Sequence, residues 1–388
     1  MNRKKIIIIT SRFPFPLDKG DKLRIYYQIK YLSQHHNIYL ISLNTENNIN
    51  TYQIKELKKY CQEIFVIKIS LINRIYNMLK SLMIQEPIQV GYFYSKKAHL
   101  KVNQIIEEIK PDWCYAQLIR TAKYITKTDN NVIDYMDAFS KGIERRTIDF
   151  PFFIQPIIRR EYKITKEFEC RIFNNFKQHT IITKNDRNYI SHDKNEHINI
   201  IPNGVDTTYF YPNNQIKKEY DIVFVGNMSY PPNIKAAIYL CEKIMPIIMQ
   251  KYANCKVLIA GTNPHPKIQK LQSDNITISG WVEDIRTTYA SGKVFVAPMY
   301  SGTGLQNKLL EAMAMGIPCI TTELANKALL ANKKQIKIAK TPQDFANNFM
   351  EIINNKTIAN NLKKEGLKFI KEKYDWKKIN NKLSKLFK

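Results

Sequence analysis

The chain has 388 residues, 44% of them hydrophobic and 24% charged, with a formal net charge of +26. This composition is globular and excludes wholesale disorder, and the length suits two to three domains at roughly 150 residues each. No apolar run nears the roughly 20 residues of a membrane-spanning helix, and the isoleucines at 6–9 are too short a run for a signal peptide, so a cytoplasmic protein is expected.

Short apolar runs alternate with longer amphipathic stretches, the pattern of parallel α/β architecture. In the first half, strands are predicted at 5–10, 38–43, 64–69, 113–116, 132–135 and 180–183. Helices are predicted at 21–33 and 95–109, with a longer one at 156–176 after the aromatic stretch Phe150-Pro-Phe-Phe153. Asn203-Gly204 is a turn signal and Pro212 opposes a continuing helix. A second series begins at Asp221-Ile-Val-Phe-Val-Gly226 and continues with strands at 255–260, 276–279, 294–297 and 318–321. Helices at 233–250, 305–314 and 342–354 separate them. The reading is therefore two Rossmann-like domains, 1–205 and 206–372, followed by a last helix over 373–388.

The positive charge is spread evenly. Residues 206–388 hold 27 Lys and Arg against 14 Asp and Glu, half of the surplus. A nucleic-acid arm would concentrate its charge, so no nucleic-acid partner is expected. A Lys-, Asn- and Ile-rich composition, an anionic membrane or a phosphorylated substrate would each account for the surplus. Cys61, Cys114, Cys170, Cys241, Cys255 and Cys319 lack metal or redox spacing and read as reduced thiols. No metal is expected.

The informative segment is Ser301-Gly-Thr-Gly-Leu-Gln-Asn-Lys-Leu-Leu-Glu-Ala-Met-Ala-Met-Gly-Ile-Pro318. It reads as a strand end, a glycine turn and a helix start, which presents N–H groups and a positive dipole end suited to phosphate. Lys308 and Glu311, three residues apart, share a face. A cation there is unfavourable unless an anion binds beside it, and a glutamate there can accept from two ribose hydroxyls. A plain surface Lys–Glu pair is the alternative. Gly226, Gly261 and Gly280 end strands, where glycine serves a turn or a close backbone approach to ligand.

The stretch Glu311-Ala-Met-Ala-Met-Gly-Ile-Pro318 resembles the nucleotide-sugar motif of glycosyltransferase family 4, whose GT-B fold sets two Rossmann-like domains facing across a cleft. Ile201-Pro-Asn-Gly-Val-Asp206 resembles its interdomain segment. Phe224-Val-Gly-Asn-Met-Ser-Tyr-Pro-Pro-Asn233, Gly280-Trp-Val-Glu-Asp284 and Val296-Ala-Pro298 are also similar. Tyr374-Asp-Trp376 precedes a helix that in such folds crosses back to the first domain. Phe13-Pro-Phe-Pro16, Lys19-Gly-Asp-Lys-Leu-Arg24, Asp134-Tyr-Met-Asp137 with Ser140-Lys141, and Arg159-Arg-Glu161 resemble a subgroup of bacterial polysaccharide sugar transferases described beside exosortase (PEP-CTERM) systems.

The resemblance implies residue roles. Glu311 matches the second Glu of the family's Glu-x7-Glu pair, which holds the ribose; the first falls at Thr303. Lys308, alone or with Lys235, is the implied diphosphate clamp, with the backbone of Gly302, Thr303, Gly304 and Leu305 beside it. Gly20, Gly226, Asn227 and Gly261 would also approach the donor, and Trp281 and Val282 would lie near the base, with packing as the alternative for Trp281. His265 is a lesser donor candidate. Arg24 and Asp137 are assigned to the acceptor, with a solvated helix face as the alternative for Arg24, and with Asp137 either orienting a hydroxyl or capping the next helix.

The activity that the resemblance implies is metal-independent, retaining transfer from a nucleotide diphosphate sugar to a glycan or lipid-linked glycan hydroxyl. Surface polysaccharide, capsule or lipopolysaccharide synthesis is the implied setting. The 150–153 stretch with Arg159, Arg160 and Lys163 would touch an anionic membrane or pack as an interdomain helix. A decayed binding protein and a nucleotide-sugar epimerase are the competing readings.

Overall fold

The isoleucines at 6–9 are wholly buried, which places them in a strand covered on both faces, as parallel sheets require. In the computed structural model, residues 3–45, 49–125, 128–302 and 304–388 are described. The chain divides into two compact units, Met1–Pro202 with Asn380–Lys388, and Asn203–Ile379.

Among the described residues, the first unit holds seven strands: β1 (Lys5–Thr10), β2 (Asn37–Asn44), β3 (Glu63–Lys68), β4 (Trp113–Gln117), β5 (Asn131–Met136), β6 (Gln178–Ile181) and β7 (Asn199–Ile200). They form one parallel sheet in the order β3-β2-β1-β4-β5-β6-β7. Ile7, Ile9, Ile41, Cys114, Ile133 and Tyr135 belong to its core. The second unit holds β8 (Tyr220–Val225), β9 (Val257–Ala260), β10 (Ile276–Gly280), β11 (Gly292–Ala297), β12 (Cys319–Thr321) and β13 (Lys337–Ile338) in the order β10-β9-β8-β11-β12-β13, again parallel. Each order reverses once, between β1 and β4 and between β8 and β11. Such reversals open the crevices where ligands bind in doubly wound sheets.

From Asn203 on, the Ile-Pro-Asn-Gly-Val-Asp segment packs against Tyr374 and Trp376 within the second unit. Val205 N–H donates to the Tyr374 carbonyl at 2.8 Å. A Cβ on Gly204 would lie 2.7 Å from that carbonyl oxygen and 2.9 Å from the ring of Trp376, so only glycine fits. The last helix, Trp376–Ser384, starts in this unit, and from Asn380 onward the chain belongs to the first. There Phe387 is buried with its ring 5.7 Å from that of Trp113.

The helix predicted at 233–250 is broken by a π segment, Leu240–Ile244, between α-helices Pro231–Tyr239 and Met245–Met249. Pro246 lacks the N–H that a continuous α-helix would need. None of the cysteines is in a disulfide; five are buried and Cys170 is half-buried.

Arg24 requires a correction. Expected on the acceptor, it is fully buried in the helix Gly20–Leu32. Its Nε and Nη2 donate to the two oxygens of the equally buried Asp134 at 2.7 and 3.0 Å, and Nη1 donates to the Ile201 carbonyl at 2.8 Å. The Thr180 hydroxyl donates to Asp134 Oδ1 at 2.8 Å. A solvated helix face was the wrong environment for Arg24, because it lies over the sheet.

Replacing Arg24 by Met would leave Asp134 buried and unpaired. The expected cost is about 3–5 kcal/mol, read as an earlier urea transition. The double variant R24M/D134L, which removes both charges, is expected to recover most of that loss.

Candidate active site

In the second unit, β8 and β11 are neighbours at the point where strand order reverses. The loop after β11 leads into the helix Asn307–Ala314, whose cap residue Gln306 makes no side-chain cap bond. Gly302 and Gly304 have φ of 116° and 71°. A Cβ on Gly304 would meet nothing within 4 Å, so glycine there serves the left-handed backbone. Leu305 is buried. Thr303 lies outside the described residues.

Lys308, in the helix's first turn, reaches back under β8. Its Nζ donates to Asn233 Oδ1, sits 5.1 Å from the centre of the Phe224 ring and approaches Met299 Sδ at 3.9 Å. Asn233 is buried and donates through Nδ2 to the Asn227 carbonyl at 2.8 Å. A Cβ on Gly226 would lie 2.7 Å from Asn233 Nδ2 and 3.4 Å from Lys308 Nζ. Gly226 therefore makes room for the lysine and its asparagine. Gly261 has a different reason: its Cβ would collide with the Gly226 carbonyl oxygen at 1.6 Å.

Burial pushes the Lys308 ammonium down to about 7, against the pull of Glu311. Burial also raises the Glu311 carboxyl, opposed by Tyr289 and Lys308. The fully buried Tyr289 donates its hydroxyl to Glu311 Oε2 at 2.7 Å. The pair is thus half withdrawn from water and held by neutral partners, unlike a surface Lys–Glu pair.

Other expected donor residues fall elsewhere. Asn227 folds its Oδ1 onto Ser229 N and Oγ at 3.0 and 2.7 Å, closing its own turn. Lys235 is exposed on its helix. His265 caps the short helix Pro266–Gln269, accepting from Lys267 N–H at 3.1 Å. Trp281 is 69% exposed, which removes the packing reading; Val282 beside it is half-buried.

In the first unit, Asp137 follows β5 directly. It does not cap the next helix, Phe139–Arg146, whose cap position Ala138 has no side-chain cap bond. That helix start is instead held by the buried Glu169, which accepts from Ser140 N–H and Oγ at 3.3 and 2.6 Å. Burial lifts the Asp137 carboxyl to about 7, with Asp186 adding to the rise and Arg120 and Arg146 opposing it.

Arg12 and Arg120, which carried no expected role, flank the switch between β1 and β4. Arg12 lies 2.8 Å and Arg120 3.8 Å from Asp21. Arg120 Nε and Nη2 donate to Gln89 Oε1 at 3.0 and 2.6 Å, between the rings of Phe93 and Phe139. Burial and Arg12 lower Arg120 to about 10. Gly20 opens the adjacent helix and is exposed. The signal for both arginines was their place just after neighbouring strands at the reversal. Among the described residues, no group of three or more His, Cys, Asp and Glu is arranged to hold a metal ion.

Comparison with known proteins bears on this site. Residues 219–355, which contain Lys308, Glu311, Asn233 and Tyr289, match the family described as glycosyl transferases group 1. Over its full length the chain is similar to an uncharacterized 44.6 kDa protein in the cps region of Klebsiella pneumoniae, 23% identical over 97% of each chain. Sucrose-phosphate synthase from Thermosynechococcus elongatus has a similar structure, with a TM-score of 0.71 and 14% identity over 99% of this chain and 98% of that one. Anabaena Alr3699/HepE, solved in complex with UDP and glucose, superposes with a TM-score of 0.66 and 13% identity over 99% of each chain. The fold is GT-B, and the segment that matches group 1 glycosyl transferases lies within the second unit.

A lysine lowered to about 7 must take up a proton when an anion binds beside it. Nucleoside diphosphate affinity is therefore expected to fall as pH rises through about 7, with net proton uptake seen by calorimetry in buffers of differing ionisation heat. Lys308→Ala should remove that uptake, while Lys235→Ala should leave it in place.

Proposed function

We propose that the chain is a retaining glycosyltransferase that moves a sugar from a nucleotide diphosphate sugar to an acceptor hydroxyl. The observation that carries this reading is the half-buried Lys308–Glu311 pair at the helix start beside β8, within the segment that matches group 1 glycosyl transferases.

In this reading the donor diphosphate lies against Lys308 and the N–H groups of the helix start, and Glu311 accepts from the ribose hydroxyls. As the bond from the anomeric carbon to the phosphate oxygen breaks, charge grows on the diphosphate, and Lys308 stabilises it. The acceptor oxygen joins the same face of the anomeric carbon. Its proton passes to a leaving phosphate oxygen, so neither a separate base nor a metal is required. Asp137 orients the acceptor hydroxyl as a carboxylate. The UDP held by HepE makes uridine diphosphate sugars the first donors to test.

The cps-region relative supports a setting in surface polysaccharide, capsule or lipopolysaccharide assembly, with the exosortase-associated transferases as the subgroup. The acceptor is then a glycan or lipid-linked glycan at the inner face of the cytoplasmic membrane. The exposed Phe150, Phe152 and Phe153 with Arg159 would meet that membrane. A binder without turnover is the second reading, favoured by Thr303 at the position of the family's first Glu.

UDP or a UDP-sugar is expected to raise the melting temperature by mass action, and Glu311→Ala to abolish the shift and nearly all transfer. A shift without transfer or donor hydrolysis would favour the binder. If Asp137 acts as a carboxylate and Lys308 as an ammonium, kcat/KM should rise and then fall in a narrow bell near pH 7. Asp137→Asn should remove the rising limb.

A further inference from the structure

The helix Leu71–Met83 is built inside out. Arg74, Asn77 and Ser81 face the protein. Arg74 Nη1 donates to the Thr45 carbonyl at 3.0 Å and to the Tyr92 hydroxyl at 2.7 Å. Asn77 Nδ2 donates to the Tyr94 carbonyl at 2.8 Å. Ser81 is the buried residue of the helix and sits so close to the next one that a Cβ on Gly91 would lie 1.9 Å from its Oγ. The spacing 74, 77, 81 is one helical face.

The opposite face is apolar and exposed. Leu71, Ile75, Tyr76, Leu79 and Leu82 lie on it, with Ile72 80% and Met83 83% exposed. The arrangement reverses the usual amphipathic helix, whose apolar stripe faces the core.

A second apolar patch is tied to this helix. Arg160, in the long helix Gln155–Phe173, donates through Nη2 to the Leu82 carbonyl at 2.7 Å, and Glu161 Oε1 accepts from Ile88 N–H at 2.8 Å. Around the start of that long helix, Ile148, Phe150, Phe153 and Ile157 are exposed, and Phe152 is 83% exposed. Exposed Lys80, Arg159, Arg160 and Lys163 are interspersed with these residues. The helix Leu71–Met83 contains no acidic residue.

We infer that the outer face of Leu71–Met83, together with the 148–157 patch, is a docking surface that lies in the headgroup layer of an anionic membrane. An in-plane helix buries such an apolar face at the headgroup–acyl boundary, and flanking cations add attraction to anionic lipid. A second copy is disfavoured as the occupant, because it would bring the same basic side chains of a +26 chain into apposition. Among the described residues no helix is long and apolar enough to cross a membrane, so the contact is peripheral. The inference rests on the proposed function for its setting at the membrane, but not on the donor chemistry.

The test is vesicle cosedimentation with phosphatidylglycerol-containing and pure phosphatidylcholine vesicles, with UDP thermal shift and solution mass measured on the same preparations. Binding to the anionic vesicles is expected, weakened by salt. Ile72→Glu with Leu79→Glu should weaken it by at least about tenfold, leaving the melting temperature and the UDP shift unchanged. Wild-type protein that ignores anionic vesicles overturns the inference, as does binding unaltered by the double variant. A dimer that the variant converts to monomer, without lipid binding, would assign the face to self-association instead. A missing UDP shift with intact vesicle binding would count against the donor reading alone.

Discussion

The buried pair between Arg24 and Asp134 is the constraint on which the first unit rests. One guanidinium joins the helix after β1, the strand β5 and the chain's exit at Ile201. Asp134 also collects Thr180 from β6, and its main-chain carbonyl takes the Leu118 N–H after β4 at 2.8 Å. Two charges taken out of water are tolerable only when each donor and acceptor is matched in this way. The knot also fixes the residues just beyond it in the chain. Met136 turns left-handed at φ 65°, and Asp137 N–H closes back on the Tyr135 carbonyl at 2.8 Å. Asp137 thus stands just past the carboxyl end of β5, three residues after the anchored Asp134.

The second unit treats charge differently. Lys308 begins a helix, where a cation opposes the dipole. Its nearest anchor is the neutral Asn233 amide, which holds the ammonium without cancelling its charge. Gly226 and Gly261 are small for linked reasons, one admitting Asn233 and Lys308, the other admitting the Gly226 carbonyl. The motif around β8 is therefore a set of mutual steric permissions, and its product is a desolvated cation at a sheet's switch point.

Several first-domain motif residues build rather than bind. Arg24 and Asp134 pair with each other, Ser140 is held by Glu169, and Glu161 accepts from Ile88. The groups left near the switch are Arg12, Arg120, Asp21 and Asp137, of which the sequence reading singled out Asp137. Arg12 and Arg120 are 108 positions apart in the chain, and only the pairing of β1 with β4 brings both to Asp21. No local pattern encodes that meeting.

What the sequence by itself determined was the alternation of strands and helices, the doubly wound class and the glycine-turn-helix that carries Lys308 and Glu311. These depend on local periodicity and on residues within one or two turns of each other. Tertiary structure decided which polar residues were spent on the core and which remained for chemistry, because burial depends on distant partners. It also decided the direction of the helix Leu71–Met83. An amphipathic pattern is the same whichever side meets the protein, so periodicity defines its two faces, and only packing against Thr45, Tyr92 and Tyr94 says that the apolar one looks outward.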